Sequence, residues 1–290
     1  MYKYAPVFKC TAGDVSVIIK RTKPEEDQAK KLFAWTNRLK DRNISVVTPV
    51  DRRGKNPLKV NDDLWVMYPY IEGRKYNGSQ KDIKKAGELL GFIHAAGENS
   101  RTLGSGFQWK NYDHEFKEEV LEDLQLITKQ YQGRIKEELF EKLKKSIKDL
   151  LERDFAPLKG IELPTVDGCW DYKASNLIYG KEDRPVLIDP DNSGYIPRLF
   201  DLALSLILFH TDNFFPGRVF TETEWHTFKT GYLKHVKLNA REKEVWQDYL
   251  LFVFTDEALW AIIDLEEDES ERQKDFIKSL LEFEPKKYRL

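Results

Sequence analysis

Two aspartates and one asparagine of this sequence are spaced so that folding could bring them to one point. Asp171 lies five residues before Asn176, and Asp189 follows directly after a second apolar run. The two strand-like runs, residues 176–179 and 185–188, are joined by five turn residues, a pattern typical of a β-hairpin, whose outer ends lie close together. A cluster of two ionised carboxylates and an amide is costly unless a cation or a reacting hydroxyl group lies between them. The spacing therefore predicts a catalytic centre with room for a divalent cation.

Part of this pattern has an ordinary structural explanation. An aspartate five residues before an asparagine is, on its own, most often a turn cap followed by a surface loop residue. That explanation does not require a strand, a turn, a second strand and a second aspartate to follow in order. Because all of these features occur together, the sequence favours the catalytic interpretation.

The same segment resembles the catalytic hairpin of kinases, in which D-x-x-x-x-N precedes one strand and a further aspartate follows the next. The D-P-D at residues 189–191 and the R-L-F-D-L-A at residues 198–203 are more similar to the superfamily of aminoglycoside phosphotransferases and choline kinases than to protein kinases. That family usually has H-G-D where this chain has Cys-Trp-Asp at residues 169–171, and the histidine normally braces the loop. Asp201 resembles a family residue that braces the catalytic loop, and it also suits a helix cap.

The resemblance implies transfer of the γ-phosphoryl group of ATP or GTP to a hydroxyl group of a small molecule. In that chemistry Asp171 accepts the proton of the acceptor hydroxyl, while Asn176 and Asp189 hold Mg²⁺ on the nucleotide phosphates. Asp191 is an additional candidate for the metal. The acceptor that the family implies is an aminoglycoside-type antibiotic, an amino alcohol or a sugar-like metabolite.

An apolar run near the N-terminus ends in Lys20 and resembles the V-A-I-K of a kinase strand, whose lysine contacts the α- and β-phosphates. A lysine at a strand end is commonplace, so a solvated charge is the alternative. In the family, the helix that follows supplies a glutamate to this lysine. Glu26 is the first choice, because Ala29 and Phe33 follow it at helical spacing. Glu25 is the rival, and an acidic first turn that only stabilises the helix dipole is the structural alternative.

The apolar strand at residues 64–68 leads into Pro-Tyr-Ile-Glu-Gly, which resembles the hinge between the two lobes of the family. Main-chain groups of the hinge read the adenine edge there, so the carbonyl of Tyr70 and the N–H of Ile71 are candidates, with Met67 near the back of the pocket. A flat purine needs an apolar slot with one or two such hydrogen bonds. An edge strand followed by a turn is the structural alternative.

One feature of the family is missing from the sequence upstream of Lys20. A phosphate-covering glycine loop normally precedes the lysine strand, and no glycine-rich segment occurs there. Together with Cys169, this favours a second hypothesis, a nucleotide-binding pseudokinase of the same fold with weak or no activity. A third hypothesis, a helical interaction protein, predicts no nucleotide binding at all.

The composition describes a folded protein without a strong electrostatic bias. The 290 residues are 41% apolar and 13% aromatic, which is enough for a large core in one domain or in two lobes. The 47 basic and 49 acidic residues argue against nucleic acid or an anionic membrane as the main partner. The two cysteines show neither metal spacing nor a disulfide framework, and no segment has the pattern of a signal peptide or a membrane span. We expect a cytoplasmic protein, whose oligomeric state does not follow from the sequence.

The elements that must position the candidate site fall into two groups, residues 1–71 and residues 72–290. The resemblance implies an α+β, two-lobed protein-kinase-like fold, with a small, mainly β N-terminal lobe for the nucleotide and a large helical C-terminal lobe for catalysis and substrate binding. His94, in the helical region, is expected to be a hydrogen-bonded core histidine. The acidic run at residues 264–271 could attract a polycationic substrate, although a solvated helix edge is the simpler explanation.

Overall fold

The N-terminal sheet of the computed structural model, which describes residues 6–22, 25–50, 55–98, 100–104, 106–212, 216–264 and 270–290, has four antiparallel strands. The strands are β1 (Val7–Ala12), β2 (Val15–Thr22), β3 (Leu58–Val60) and β4 (Asp63–Pro69). They pair in the order β1-β2-β4-β3. Ile18 lies opposite Tyr68 and Lys20 lies opposite Val66. Because side chains alternate between the two faces of a sheet, these four side chains share one face.

Helix α1 (Glu26–Asp41) follows β2 and lines a small pocket together with Val66 and Tyr68 of this sheet. It buries one stripe of residues: Ala29, Leu32, Trp35, Thr36 and Leu39. Its C-terminal half is also bonded to the helical part of the chain. Arg38 forms an ion pair with the buried carboxylate of Asp167 at 2.9 Å, and Arg42 donates to the carbonyl of Ala96 at 3.0 Å. These contacts fix the C-terminal half of α1 to the second lobe.

In the described part of the second lobe, five short strands follow: β5 (Arg74–Lys75), β6 (Thr165–Gly168), β7 (Leu177–Tyr179), β8 (Pro185–Leu187) and β9 (Gly194–Pro197). The hairpin expected from the sequence is the antiparallel pair β7 and β8, in which Leu177 lies opposite Leu187. The N–H of Ile188 donates to the carbonyl of Asn176 at 2.9 Å, which closes the outer end of the hairpin. The residues that flank the hairpin are therefore held side by side.

The helical lobe contains the remaining helices: α2 (Gln80–Gly97), α3 (His114–Tyr131), α4 (Glu137–Glu152), α5 (Arg198–Leu208), α6 (Glu222–Tyr232), α7 (Ala240–Val253), α8 (Leu259–Asp264) and α9 (Glu271–Leu281). A π-helical turn, Phe254–Ala258, joins α7 to α8. Thr221 and Glu224 form a capping box at the start of α6. The core of this lobe is rich in aromatic side chains, among them Trp225 and Trp246, whose rings stack 5.6 Å apart.

Helices α2 and α6 approach each other closely in the helical lobe. Gly87 of α2 lies against the main chain of Phe228, and a Cβ atom at this position would overlap the Phe228 carbonyl oxygen. The absence of a side chain at Gly87 thus sets the distance between the two helices. None of the helices in the described ranges combines the length and the apolar character that crossing a membrane requires.

Candidate active site

The loop between β6 and the hairpin is held by the carboxylate of Asp201. Asp201 Oδ2 accepts the N–H of Cys169 at 2.6 Å, and Oδ1 accepts the N–H of Trp170 at 2.7 Å. Trp170 has φ +56°, a left-handed conformation that costs about 1 to 3 kcal/mol for a residue with a side chain. Helix α5 begins at Arg198, so Asp201 lies in its first turn and is not its cap. Its carboxylate faces the strained loop, as the family resemblance implied.

His94 of α2 supports the same carboxylate from behind. Its Nε2 lies 2.9 Å from Asp201 Oδ2, and its Nδ1 lies 3.0 Å from the hydroxyl of Tyr232. The ring is buried, which agrees with the expectation of a core histidine. The family usually has its loop-bracing histidine at the position of Cys169. In this chain a different histidine, His94 of α2, contacts Asp201, the residue that holds the loop.

Asp171 emerges from this loop with both carboxylate oxygens in contact with polar side chains. Oδ2 accepts from Asn176 Nδ2 at 3.1 Å and from Asn192 Nδ2 at 3.3 Å, and Oδ1 lies 3.2 Å from Lys173 Nζ. Burial raises the pKa of Asp171 above its ordinary value, and the charge of Lys173 offsets only part of that effect. The carboxylate is therefore a stronger base than a solvated aspartate.

Lys173 is a site residue that the sequence analysis did not single out. Its Nζ bridges Asp171 and Asp212, with a distance of 2.8 Å to Asp212 Oδ2. Burial by itself lowers the pKa of Lys173, but the two carboxylates outweigh burial and raise it. Its position two residues after Asp171, inside D-Y-K-A-S-N, was a usable signal. Asn192, which follows D-P-D directly, was missed as well.

Asn176 and Asp189 present oxygen atoms to the cleft between the lobes. Asn176 Nδ2 donates both to the carboxylate and to the main-chain carbonyl of Asp171, so its Oδ1 points the other way. The Asp189 side chain is 40% exposed, and its charge contributes to the raised pKa of Asp171. In the described ranges, no group of three or more His, Cys, Asp or Glu side chains could hold a metal ion. Mg²⁺ in nucleotide sites uses one or two carboxylates together with the phosphates, so these two oxygen donors fit it.

Lys20 of β2 reaches both aspartates of the D-P-D segment. Its Nζ lies 2.6 Å from Asp189 Oδ1 and 3.1 Å from Asp191 Oδ2. Burial by itself lowers the pKa of Lys20, but the two carboxylates outweigh it and raise the pKa. The lysine is thus placed at the hairpin end, beside the candidate metal ligands.

Glu26 lies outside this group of residues, and its expected pairing with Lys20 is wrong for this structure. Its side chain is 57% exposed and pairs with Lys30 of the next turn at 2.7 Å. The buried stripe of α1 is centred roughly 110° around the helix from Glu26, at 100° per residue. The helical spacing to Ala29 and Phe33 placed Glu26 near that stripe but on its solvent side.

A cleft of about 510 Å³ extends from Lys20, Asn176 and Asp189 to the segment after β4. Tyr70 and Ile71 line it, as the hinge interpretation expects. The N–H of Tyr70 donates to the carbonyl of Ser16 at 3.1 Å. In the described part of the chain, the Tyr70 carbonyl and the Ile71 N–H have no main-chain partner, so both can bond a ligand.

Met67 does not line this cleft, and the prediction that placed it at the back of the pocket is wrong. Tyr68, its neighbour on β4, occupies that position, with its hydroxyl 3.3 Å from Asp191 Oδ1. Adjacent residues of a strand point to opposite faces of the sheet. The run Leu-Trp-Val-Met-Tyr is apolar throughout, so its sequence did not indicate which alternate residues face the nucleotide cleft.

A second cavity, of about 450 Å³, lies on the other side of Asp171. Trp170 and Trp260 contribute to its walls, and Glu257 of the π-helical turn contributes a carboxylate. Glu257 accepts from Trp170 Nε1 at 3.2 Å. Burial raises the pKa of Glu257, and the charge of Asp171 adds to that effect. Of the acidic run at residues 264–271, for which a solvated helix edge was the simpler explanation, residues 265–269 lie outside the described residues.

The sequence matches the family model described as the phosphotransferase enzyme family (APH) over residues 5–241. A comparison with curated protein sequences gave no match.

Several solved structures share the fold over nearly the whole chain. The amicoumacin kinase hAmiN, in complex with AMP-PNP and Ca²⁺, is 17% identical with a TM-score of 0.66, covering 100% of this chain and 87% of its own. A microcompartment-associated aminopropanol kinase is 15% identical with a TM-score of 0.62, covering 96% and 89%. A spectinomycin phosphotransferase, in complex with ADP and spectinomycin, is 17% identical with a TM-score of 0.59, covering 98% and 90%. At these identities the likeness concerns the fold.

Proposed function

Because this chain belongs to the phosphotransferase enzyme family, we propose that it is a small-molecule kinase that transfers the γ-phosphoryl group of ATP or GTP to a hydroxyl acceptor. One observation carries the proposal: Asp171, Asn176 and Asp189 converge at the end of one hairpin, beside Lys20 and a cleft of purine size. Structurally similar proteins are described with AMP-PNP or ADP, which supports nucleotide binding in the same cleft. The proposal includes a lobe boundary between residues 71 and 72, at the hinge, and a cytoplasmic location.

In the proposed reaction, Asp171 accepts the proton of the acceptor hydroxyl as the phosphoryl group is transferred. Its buried carboxylate has a raised pKa, which suits a general base, and the charge of Lys173 favours its ionised form. Lys20 holds the α- and β-phosphates. Mg²⁺, held by Asn176 and Asp189 together with the nucleotide, would neutralise charge on the phosphates.

The cavity beside Asp171 supports an acceptor that carries an amine as well as a hydroxyl group. Its volume of about 450 Å³ suits a small molecule. Two tryptophans, the Glu257 carboxylate and the ion pair of Lys173 with Asp171 line it, and in the described residues no basic side chain forms an ion pair with Glu257. Aromatic faces and a partly desolvated carboxylate both attract a cation. Among aminoglycoside-type antibiotics, amino alcohols and sugar-like metabolites, we therefore expect the amine-bearing acceptors to react best.

The proposal is tested by incubating the purified protein with Mg²⁺ and ATP or GTP in the presence of aminoglycosides, amino alcohols and neutral sugars. Release of the nucleoside diphosphate and mass spectrometry of the acceptor measure transfer. Asp171→Asn should lower turnover at least about a thousandfold while nucleotide binding persists. Asp149→Asn, a matched change on the exposed face of α4, should leave turnover unaffected. Full turnover in Asp171→Asn would contradict the assigned base.

The second candidate is the nucleotide-binding pseudokinase, and the register of the first two strands favours it. Lys20 lies opposite Val7, whereas the turn between β1 and β2 lies at residues 13 and 14. The turn is thus about 20 Å along the strand from Lys20, too far to cover phosphates held there. Nucleotide binding without transfer to any acceptor would support this candidate. If nucleotide does not raise the thermal stability of the protein, the result would instead favour a protein that binds no nucleotide.

A further inference from the structure

The two aspartates that contact Lys20 have different surroundings. Asp189 is 40% exposed in the cleft, whereas the side chain of Asp191 is only 10% exposed. Asp191 Oδ2 accepts from Thr22 Oγ1 at 2.9 Å in addition to Lys20 Nζ at 3.1 Å. Its Oδ1 accepts from the hydroxyl of Tyr68 at 3.3 Å. Both oxygens of Asp191 are thus bonded to protein donors.

These donors belong to one face of the N-terminal sheet. Lys20 and Thr22 are two residues apart on β2, and Tyr68 comes from the adjacent strand β4. Asp191 comes from the end of the catalytic hairpin in the other lobe. Asp191 therefore joins the strand that carries the lysine to the segment that carries the catalytic residues.

Helix α1 contributes no carboxylate to this place within the residues that the structure describes. The residues of α1 that line a small pocket together with Asp191, Thr22 and Tyr68 are Ala29, Leu32, Phe33 and Thr36. Glu26 is exposed and bonded to Lys30. The acidic partner of Lys20 accordingly comes from D-P-D rather than from the helix.

We propose that Asp191 is the positioning residue of Lys20, in place of a helix carboxylate, and that Asp189 rather than Asp191 serves the metal. The inference rests on the proposed function, because the position of Lys20 matters only if nucleotide phosphates bind beside it. A metal ligand needs free lone pairs facing the cleft, which the exposed side chain of Asp189 offers and the enclosed carboxylate of Asp191 does not. With Asp191 in place, Lys20 is shared between two carboxylates. Without Asp191, Lys20 would pair with Asp189 alone and move away from the phosphates.

The origin of Asp191 in the catalytic hairpin also determines how the Lys20 site is assembled. In a lobe where a helix supplies the lysine's partner, rotation of that helix can separate the pair. Here the partner, Asp191, lies two residues from Asp189 on the same segment, and Thr22 and Tyr68 of the sheet donate hydrogen bonds to it. The lysine site is therefore complete whenever the two lobes are in contact, whatever the position of the first turn of α1.

The test measures metal affinity and nucleotide use separately in the full-length protein. Mn²⁺ affinity in the presence of ADP is measured by electron paramagnetic resonance, and the KM for the nucleotide is measured with a reacting acceptor. Asp191→Asn should raise the KM about tenfold or more and keep the Mn²⁺ affinity within about threefold of that of the unsubstituted protein. Asp189→Asn should weaken Mn²⁺ binding at least about tenfold.

Thr22→Val provides a milder change that keeps every charge and guards against a fold defect in the Asp191 variant. It removes one donor to Asp191 and should raise the KM about two- to fivefold with unchanged Mn²⁺ affinity. Glu26→Gln tests the helix alternative and should change neither quantity.

The inference is overturned if Asp191→Asn weakens Mn²⁺ binding as much as Asp189→Asn does, if Thr22→Val leaves the KM unchanged, or if Glu26→Gln raises the KM as Asp191→Asn does. Failure of the unsubstituted protein to bind any nucleotide is a different result. That result would overturn the proposed function, and the inference with it.

Discussion

Replacement of Lys173 by Met tests the electrostatics of the candidate site directly. Lys173 Nζ lies 3.2 Å from Asp171 Oδ1 and 2.8 Å from Asp212 Oδ2. The substitution keeps an unbranched side chain of similar length and removes its charge. Burial already raises the pKa of Asp171, and the charge of Lys173 lowers it. Without that charge, the pKa of Asp171 rises further, and less of the carboxylate is ionised at neutral pH.

The size of the effect follows from the distance and from the partial exposure of the pair. Two unit charges 3.2 Å apart interact by about 1 kcal/mol in bulk water and about 5 kcal/mol at an effective dielectric constant of 20. The side chains of Lys173 and Asp171 are 24% and 26% exposed, so the interaction lies between these limits. One pKa unit corresponds to 1.36 kcal/mol. We expect the pKa of Asp171 to rise by about 1 to 2 units.

The assay is the pH dependence of kcat/KM for the acceptor at saturating nucleotide. The acid limb of the profile should move to higher pH by about 1 to 2 units in Lys173→Met, so activity falls most at low pH and recovers at high pH. Asp212→Asn should move the limb in the opposite direction, because Lys173 then acts on Asp171 alone. Lys81→Met is the matched control, since Lys81 pairs with Asp183 at the surface.

An acid limb at the same pH in Lys173→Met and in the unsubstituted protein would refute this reasoning. A loss of activity that is equal at every pH would then assign Lys173 to the phosphates rather than to Asp171. A shift of the limb in Lys81→Met would show that net charge, and not the local contact, controls the profile.

Three further substitutions test the fold and the loop that carries Asp171. Burial and the neighbouring Glu257 raise the pKa of Asp256 to about 7 in the folded protein, so folding stability falls as the pH rises from about 4 to 7. Asp256→Asn should therefore raise the free energy of unfolding by about 1 to 2 kcal/mol at pH 8 and by much less at pH 4. An equal gain at both pH values in thermal unfolding would contradict the assigned titration. Gly87→Ala should destabilise the protein by about 3 kcal/mol in urea unfolding, because the added Cβ would overlap the Phe228 carbonyl and push α2 away from α6. An unchanged urea midpoint would show that the two helices can separate without cost. Asp201→Asn should lower the free energy of unfolding by about 3 kcal/mol, because an amide side chain cannot accept hydrogen bonds from both loop N–H groups. The same substitution should lower kcat while leaving nucleotide affinity within about twofold of that of the unsubstituted protein. An unchanged kcat would argue against the role of Asp201 in bracing the loop.

Local sequence patterns were sufficient to predict the catalytic hairpin. The turn residues at 180–184 and the apolar runs on either side predict two strands that must pair, and pairing alone brings Asn176 next to Ile188. The distance between Asp171 and the second aspartate then depends on a few residues of chain. The family resemblance adds roles to these positions, and the match over residues 5–241 supports it.

Two assignments failed because a pattern can indicate an element without fixing its rotation. The strand that contains Met67 is apolar on both faces, so either Met67 or Tyr68 could have faced the cleft. Tertiary packing decided the choice, because Val66 and Tyr68 are buried together with Val47 and pack against Ile18. Glu26 was close to the buried stripe of its helix, and the stripe turned out to be centred toward Leu32 and Thr36.

Contacts between distant segments could not be read from the sequence at all. Asp212 is far along the chain from Lys173, and His94 is farther still from Asp201, yet each pair lies within hydrogen-bond distance. The residue types did not indicate these pairs, since aspartates and lysines are abundant in this chain and His94 alone does not identify its partner.

The sequence by itself determined the hairpin, the order of the elements and the residue types available for chemistry, because these depend on neighbours within a few positions. Only the tertiary structure decided which carboxylate pairs with Lys20, which face of β4 lines the cleft and which cation neutralises Asp171. Those choices depend on how helices and strands pack, and packing is settled by the whole core rather than by any one segment.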